Sequence, residues 1–217
     1  MTELPLDASE RPSDSRAYGP DACVFLVDDD VRVLRGLTRL IESYGMTARP
    51  FGSAEQFFRE ADHDAPGCLV LDYLMRGMTG LELLSHMDAG GIARPTIFLS
   101  GRADIVVSVE AMKAGAVDFL VKPVRDAMLI NAIRSGLELD AGRREFASRR
   151  AYLMRLLATL SPRERQVVDE VLCGRLNKQI ADHLGIVEKT VKVHRARAYA
   201  KLGIRSVVDL VRMVDFA

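Results

Sequence analysis

Cysteine is scarce in this 217-residue chain, and Cys23, Cys68 and Cys173 stand far apart without a CxxC pair. That spacing argues against a disulfide framework or a thiolate metal site, and for small buried apolar residues in a reducing compartment. No run of 18 or more apolar residues occurs, so no membrane span is expected. The opening "MTELPLDASERPSDSRAYGP" lacks the basic start and apolar stretch of a secretory signal. Its Pro, Ser, Asp and Glu content reads as a disordered tail over residues 1–20. Also missing are a Gly-rich phosphate loop, a GxSxG elbow and an HExxH pair, and His63, His86 and His183 hold no metal-ligand spacing. Net charge is absent too, since 30 Lys and Arg balance 30 Asp and Glu.

That balance conceals a split. Residues 1–140 hold 14 basic against 22 acidic side chains, a net of −8, whereas residues 141–217 hold 16 against 8, a net of +8. An acidic domain followed by a basic one is expected, the second a candidate for nucleic acid. With 48% hydrophobic residues, a sizeable core is available and wholesale disorder is excluded.

From residue 22 the pattern alternates between strand and helix. "CVFLV" (23–27), "CLVLD" (68–72), "TIFLS" (96–100) and "DFLV" (118–121) are short apolar runs, and "TARPF" (47–51) is a weaker, edge-like strand. Helical spacing follows each, with Val33, Leu34, Leu37, Leu40 and Ile41 on one face and Gly45 as a stop, and with Ser53 placed to cap the next helix. Such alternation predicts an α/β domain with a parallel, doubly wound sheet, whose function collects at the carboxyl ends of its strands. Residues 126–158 read as helix, with Leu129, Ile133 and Leu137 closing the first domain and the charged "RREFASRR" as a solvated helical linker. From residue 160 only short amphipathic helices remain, an all-α second domain.

Function-bearing residues fall at strand ends. Asp28, Asp29 and Asp30 follow the first strand, Asp72 ends the third, Ser100 the fourth, and Lys122 follows the fifth. Carboxylates crowded on one rim raise one another's pKa unless a cation neutralises them. A hard divalent ion does so and still leaves positions for phosphate. Asp72 is then a carboxylate nucleophile toward phosphorus, Lys122 a point charge for a phosphoryl oxygen, and Ser100 a hydroxyl donor. A solvated acidic loop is the plainer alternative for "DDD" taken alone.

The stretches "VFLVDDD", "LVLDYLMRGMTGLELL", "TIFLSGRAD" and "VEAMKAGAVDFLVKP" resemble the receiver domain of bacterial two-component response regulators of the NarL/FixJ class. The resemblance implies a flavodoxin-like five-stranded receiver over 21–138, a helical linker over 139–157 and a helix-turn-helix domain over 158–217. It further implies Asp72 as phosphoacceptor, and a magnesium or manganese ion held by Asp28, Asp29, Asp72 and the backbone carbonyl of Leu74. Ser100 and Lys122 are the implied phosphoryl contacts and Phe119 the aromatic switch residue. Asp30 has no metal role in that scheme and reads as solvated. One position departs from the pattern: the usual Met-Pro-Gly is "MRG", with Arg76 in place of proline. Losing proline frees φ and restores a backbone N–H. Arg76 then reads either as a side chain within reach of the phosphoryl group or as a solvated surface arginine.

In the basic half, "SPRE" (161–164) is a capping box with Pro at the first helical position. "NKQIADHLG" and "EKTVKVHRARAYAKLG" are two helices joined by a short Gly-containing turn, the helix-turn-helix pattern whose second helix enters the major groove. The segment resembles the LuxR-type helix-turn-helix. That resemblance implies Lys192, Val193 and Ala196 near base edges, and Lys178, Lys189, Thr190, His194 and Arg195 near phosphates. Val187 stands where the family often has Ser or Thr, and a missing cap costs about 1 kcal/mol. In the family the last helix dimerises, here through Val207, Leu210, Val211 and Val214; packing onto the domain's own core is the alternative. His183 reads as solvated. The implied protein is a cytoplasmic bacterial transcription regulator, not an enzyme beyond slow loss of its own phosphoryl group. Its implied partners are a sensor histidine kinase, promoter DNA, RNA polymerase and a second copy of itself. An aspartate-nucleophile phosphotransferase or phosphatase is the competing reading, although the chain spends its remainder on a helix-turn-helix rather than on a substrate cap. A constitutive DNA binder with a silent receiver is a further alternative.

Overall fold

The structure, a computed structural model, describes residues 21–101 and 105–215; the tail expected over 1–20 lies outside them. The chain divides into two compact units, one reaching to Gly142 and the other beginning at Arg143.

In the first unit β1 (Cys23–Val27), β2 (Thr47–Phe51), β3 (Gly67–Asp72), β4 (Thr96–Ser100) and β5 (Asp118–Val121) form a sheet in the order β2-β1-β3-β4-β5. All four pairings are parallel. Between the strands run α1 (Val31–Ser43), α2 (Ala54–Glu60), α3 (Gly80–Ala89) and α4 (Ile105–Lys113). The central strands β1, β3 and β4 are buried along their whole length, which is why they read as unbroken apolar runs. Alternate residues feed two cores. Val24, Leu26, Val70, Ile97 and Leu99 pack with Leu34 and Ile41 of α1 and with Leu129, Ile133 and Leu137 of the helix that follows β5. Phe25, Leu69, Leu71 and Phe98 pack on the other side with Phe57, Leu83, Met87 and Ala111. Each fully buried large apolar side chain contributes about 1.5–3 kcal/mol, so the sheet is a stiff platform. Strand order reverses between β1 and β3, which puts the functional crevice at their carboxyl ends.

Turn chemistry shapes that rim. Ser53 caps α2 by accepting the Gln56 N–H at 3.1 Å, and Thr79 and Glu82 form a reciprocal capping box on α3. A Cβ on Gly80 would lie 2.6 Å from the carbonyl oxygen of Asp72. Only glycine lets the loop turn back this closely, and the Gly80 N–H donates to the Tyr73 carbonyl at 2.9 Å. At the start of β3, Gly67 has φ +148° and donates its N–H to the buried Asp140 carboxylate at 2.8 Å.

One helix, α5 (Asp126–Ala158), covers the whole stretch expected as a linker. Its side chains between residues 143 and 150 are almost all exposed, in keeping with their charge.

The second unit is helical: α6 (Pro162–Leu172), α7 (Asn177–Leu184), α8 (Glu188–Leu202) and α9 (Val207–Asp215). Val167, Val168, Val171, Ile180, Val191, Ala198, Leu202 and Leu210 make its core, with Leu156 and Leu157 packed against it. Ser161 and Glu164 form the expected capping box. Lys201 Nζ also donates to Glu164 Oε2 at 2.6 Å, tying the end of α8 to the start of α6. The Lys201 hydrogen bond, helped by the Ser161 N–H, lowers the Glu164 carboxyl from 4.5 to about 2. A depressed folded-state value means stabilisation that is present above the unfolded value and lost as pH falls through the folded one. Acid titration followed by circular dichroism should therefore show a loss of stability between pH 4.5 and about 2. That loss should be smaller in Glu164→Gln, which still accepts the Ser161 N–H. Equal slopes in the two proteins would refute the assignment.

Candidate functional site

The three successive carboxylates after β1 part company in space. Asp28 is 3% exposed and turns into the rim, where its Oδ1 accepts the Asp30 N–H at 2.8 Å. Asp29 is partly exposed and faces the loop after β3. Asp30 turns outward and caps α1, accepting the Arg32 N–H at 2.8 Å and pairing with the Arg32 guanidinium at 3.0 Å. The side-chain hydrogen bond from Arg32 holds the Asp30 carboxyl below the usual range. The Asp30 side chain is 40% exposed, as the solvated reading expects, and it also caps the helix; an Asp just before an amphipathic helix is a strong N-cap signal.

Asp72, at the end of β3, is 8% exposed. Lys122 reaches it from the loop after β5, with Nζ 3.0 Å from Asp72 Oδ1 and 2.7 Å from Asp28 Oδ2. The Lys122–Pro123 bond is cis. Burial pushes the Asp72 carboxyl upward; the Lys122 hydrogen bond offsets part of that rise, and the charges of Asp28 and Asp29 add to it. Burial works against the charge on Lys122, but its hydrogen bonds to Asp28 and Asp72 outweigh it and hold the ammonium above the usual lysine range. One carboxylate oxygen each from Asp28, Asp29 and Asp72 lie within 4.8 Å of one another. Three convergent hard oxygen donors suit a small divalent cation such as magnesium or manganese.

The other expected rim residues fall around this cluster. Ser100 is 2% exposed at the end of β4, in register with Val121. Phe119 is partly buried, its ring centroid 6.3 Å from Tyr73 and 6.4 Å from Phe98. Leu74 lies two residues past Asp72, side chain exposed, and its backbone bridges Thr79. Arg76 is a surface arginine, its side chain 91% exposed, as the solvated alternative expects, but it is tied to Asp29 rather than aimed at Asp72. Its N–H and its Nε both donate to Asp29 Oδ2, at 3.2 and 3.0 Å. Nothing local in the sequence signals this pair, because its partners are 47 residues apart.

In the second unit α7 and α8 are joined through Gly185, left-handed at φ +64°. Lys189, Lys192, Val193, Ala196 and Arg197 are exposed along α8, and Lys178 is exposed on α7. Thr190, His194 and Arg195 are partly buried. Lys192 pairs with Glu188 at 2.9 Å. Arg195 donates to Asn177 Oδ1 at 3.2 Å and lies 5.1 Å from the Tyr199 ring centroid. Val187 occupies the N-cap of α8 with no side-chain hydrogen bond, as its lack of a hydroxyl dictates. His183 is exposed, yet its Nδ1 lies 2.8 Å from Glu170 Oε1, and Arg175 pairs with the same carboxylate. The apolar stripe of α9 turns mainly inward. Leu210 is fully buried and Val207 packs on the same core, leaving Val211 38% exposed and Val214 partly buried. Leu210 is therefore a core residue rather than a free contact.

Among the described residues no helix is long and apolar enough to cross a membrane. Residues 24–134 match the family described as "Response regulator receiver domain", and residues 158–214 match "Bacterial regulatory proteins, luxR family". The chain is 43% identical over 194 residues to nodulation protein W of Bradyrhizobium diazoefficiens, covering 89% of this chain and 86% of that protein. It is 42% identical over 196 residues to the transcriptional regulatory protein FixJ of Azorhizobium caulinodans, covering 89% and 92%. Among solved structures, response regulator StyR superimposes with a TM-score of 0.81 at 42% identity, covering 91% of this chain and all of the other. With a receiver model matched over the five-stranded unit and a luxR model over the helical one, and with these relatives spanning most of its length, the chain belongs to the response regulators, DNA-binding transcription regulators governed through a receiver domain.

Proposed function

We propose that Asp72 is the phosphoacceptor, within a receiver over residues 21–138, and that a linker over 139–157 joins it to a DNA-binding domain over 158–217. The observation that carries this reading is the convergence of Asp28, Asp29, Asp72 and Lys122 on one rim. Asp28 and Asp29, with Asp72 and the Leu74 carbonyl, are the residues that would hold a magnesium or manganese ion. Such an ion, when bound, neutralises the rim and lets an anionic phosphoryl group approach. The donor is the phosphohistidine of a sensor histidine kinase. A carboxylate oxygen of Asp72 forms the new P–O bond as the P–N bond breaks, and the imidazole leaves. Lys122 turns its ammonium to a phosphoryl oxygen, and Ser100 donates its hydroxyl. Movement of Ser100 toward the phosphoryl group draws Phe119 inward, and this shifts the population of receiver conformations.

The output is altered promoter binding in the cytoplasm of a bacterium. Lys192, Val193 and Ala196 meet base edges, the exposed valine and alanine suiting a thymine methyl. Lys178, Lys189, Thr190, His194 and Arg195 meet phosphates. A homodimer reads two half-sites, using the exposed part of α9 around Val211, and contacts RNA polymerase from the promoter. Fluorescence anisotropy on the upstream region of its own gene tests this. Affinity should rise with beryllofluoride, a phosphoryl mimic. The logarithm of the binding constant should fall linearly with the logarithm of salt, by about 0.9 per phosphate contacted. Lys178→Ala and Lys189→Ala should each flatten that slope by roughly one unit. A slope near zero would remove the DNA assignment for this face.

A further inference from the structure

Each carboxylate of the rim cluster has a cationic partner, and the partners differ in kind. Lys122 serves Asp28 and Asp72 from within, at 2.7 and 3.0 Å. Asp29 is served from outside by Arg76, whose side chain is 91% exposed while that of Asp29 is 26% exposed. Both contacts converge on one oxygen, Asp29 Oδ2: the Arg76 backbone N–H at 3.2 Å and its Nε at 3.0 Å. The backbone contact exists only because residue 76 is not proline, which carries no N–H. The side-chain contact adds a full positive charge at the mouth of the pocket.

We propose that Arg76 is a built-in competitor for the divalent cation. By holding Asp29 it sets the concentration at which the pocket loads with metal. This rests on the reading of Asp28, Asp29 and Asp72 as a magnesium site. A cation entering the pocket must share Asp29 Oδ2 or take it, and it meets the field of the guanidinium in either case. Where the cation takes that oxygen, loading frees the loop after β3 from its tie to the loop after β1. An exposed ion pair is a weak lock, so the device tunes affinity and does not block it.

The test is titration of the full-length protein with Mn2+, followed by the electron paramagnetic resonance signal of free Mn2+, and with Mg2+ in competition. Arg76→Gln keeps the backbone N–H and removes the charge, at a position too exposed to threaten the fold. It should bind Mn2+ and Mg2+ roughly two to five times more tightly than wild type at low ionic strength, the range an exposed ion pair can supply. The advantage should shrink at high salt, where exposed charges are screened. If wild type binds the ion and Arg76→Gln binds it equally or less tightly, the competitor role is wrong and the metal site stands. If wild type binds no Mn2+, or binds it undiminished after Asp29→Asn, the metal site itself is wrong, and this inference falls with it.

Discussion

Asp72→Asn should reduce labelling by acetyl phosphate to background, while wild type takes up one phosphoryl group per chain. The amide is nearly the same shape and still accepts a hydrogen bond from Lys122, but it lacks the anionic oxygen that attacks phosphorus. The fold should not suffer. Burial raises the Asp72 carboxyl above its ordinary value. A raised folded-state value contributes stability below the unfolded value, near 3.8; that contribution is lost as pH rises through the folded value. At neutral pH the charge on Asp72 is thus a burden on the fold, and Asn relieves it. The melting temperature of the variant at pH 7 should equal or exceed that of wild type. Mass spectrometry of the intact chain settles the chemistry. A phosphoryl adduct retained by a folded Asp72→Asn protein would place the acceptor elsewhere.

The largest effect on stability should come from Lys122→Met. Lys122 Nζ bonds two nearly buried carboxylates, and its side chain is itself 25% exposed. Removing one partner of a fully buried pair costs about 3–5 kcal/mol; partial exposure of the lysine lowers the expectation here to about 2–3 kcal/mol. Two signatures separate this loss from lost packing. Asp28→Asn in the Lys122→Met background should recover much of the stability, because one of two stranded charges is gone. Acidification should recover it too, since a shared proton takes the place of the ammonium. In wild type the Lys122 contribution is complete below the ordinary lysine value of 10.5 and declines only as pH rises through its raised folded-state value. The deficit of the variant should therefore persist across neutral pH and narrow at both extremes. Urea denaturation over a pH series measures it. A deficit independent of both pH and Asp28→Asn would mean that Lys122 acts through its methylene chain alone.

How much of this was legible in the sequence depends on the range of the interaction. Strands β1, β3 and β4 are buried on both faces, so each appears as a run of apolar residues with a polar residue after it, and Asp28, Asp72 and Ser100 mark the rim. Residues at strand ends converge because a parallel sheet aligns its strand ends, and the pocket follows from topology. The Asp30 cap is a local signal, an Asp directly before an amphipathic helix, and so is legible in the sequence. The Arg76–Asp29 and Lys201–Glu164 pairs were not, because each joins positions more than 35 residues apart that only the folded chain brings together. Periodicity on α9 revealed an apolar stripe, and a stripe alone does not say whether a core or a second copy covers it. Leu210 answers that for its own position by being fully buried.

Arg195 on α8 is braced by Asn177 and lies beside the Tyr199 ring, whereas the first turn of the same helix, after Val187, lacks a side-chain cap. An arginine immobilised before its ligand arrives forfeits little rotamer freedom on contact, a saving of about 0.5–1.5 kcal/mol for a side chain of this kind. On the proposed DNA-binding reading, preorganisation is thus unevenly distributed along one helix: its middle is already set, and the entropy of ordering falls on the opening turn, where Lys189 and Thr190 stand.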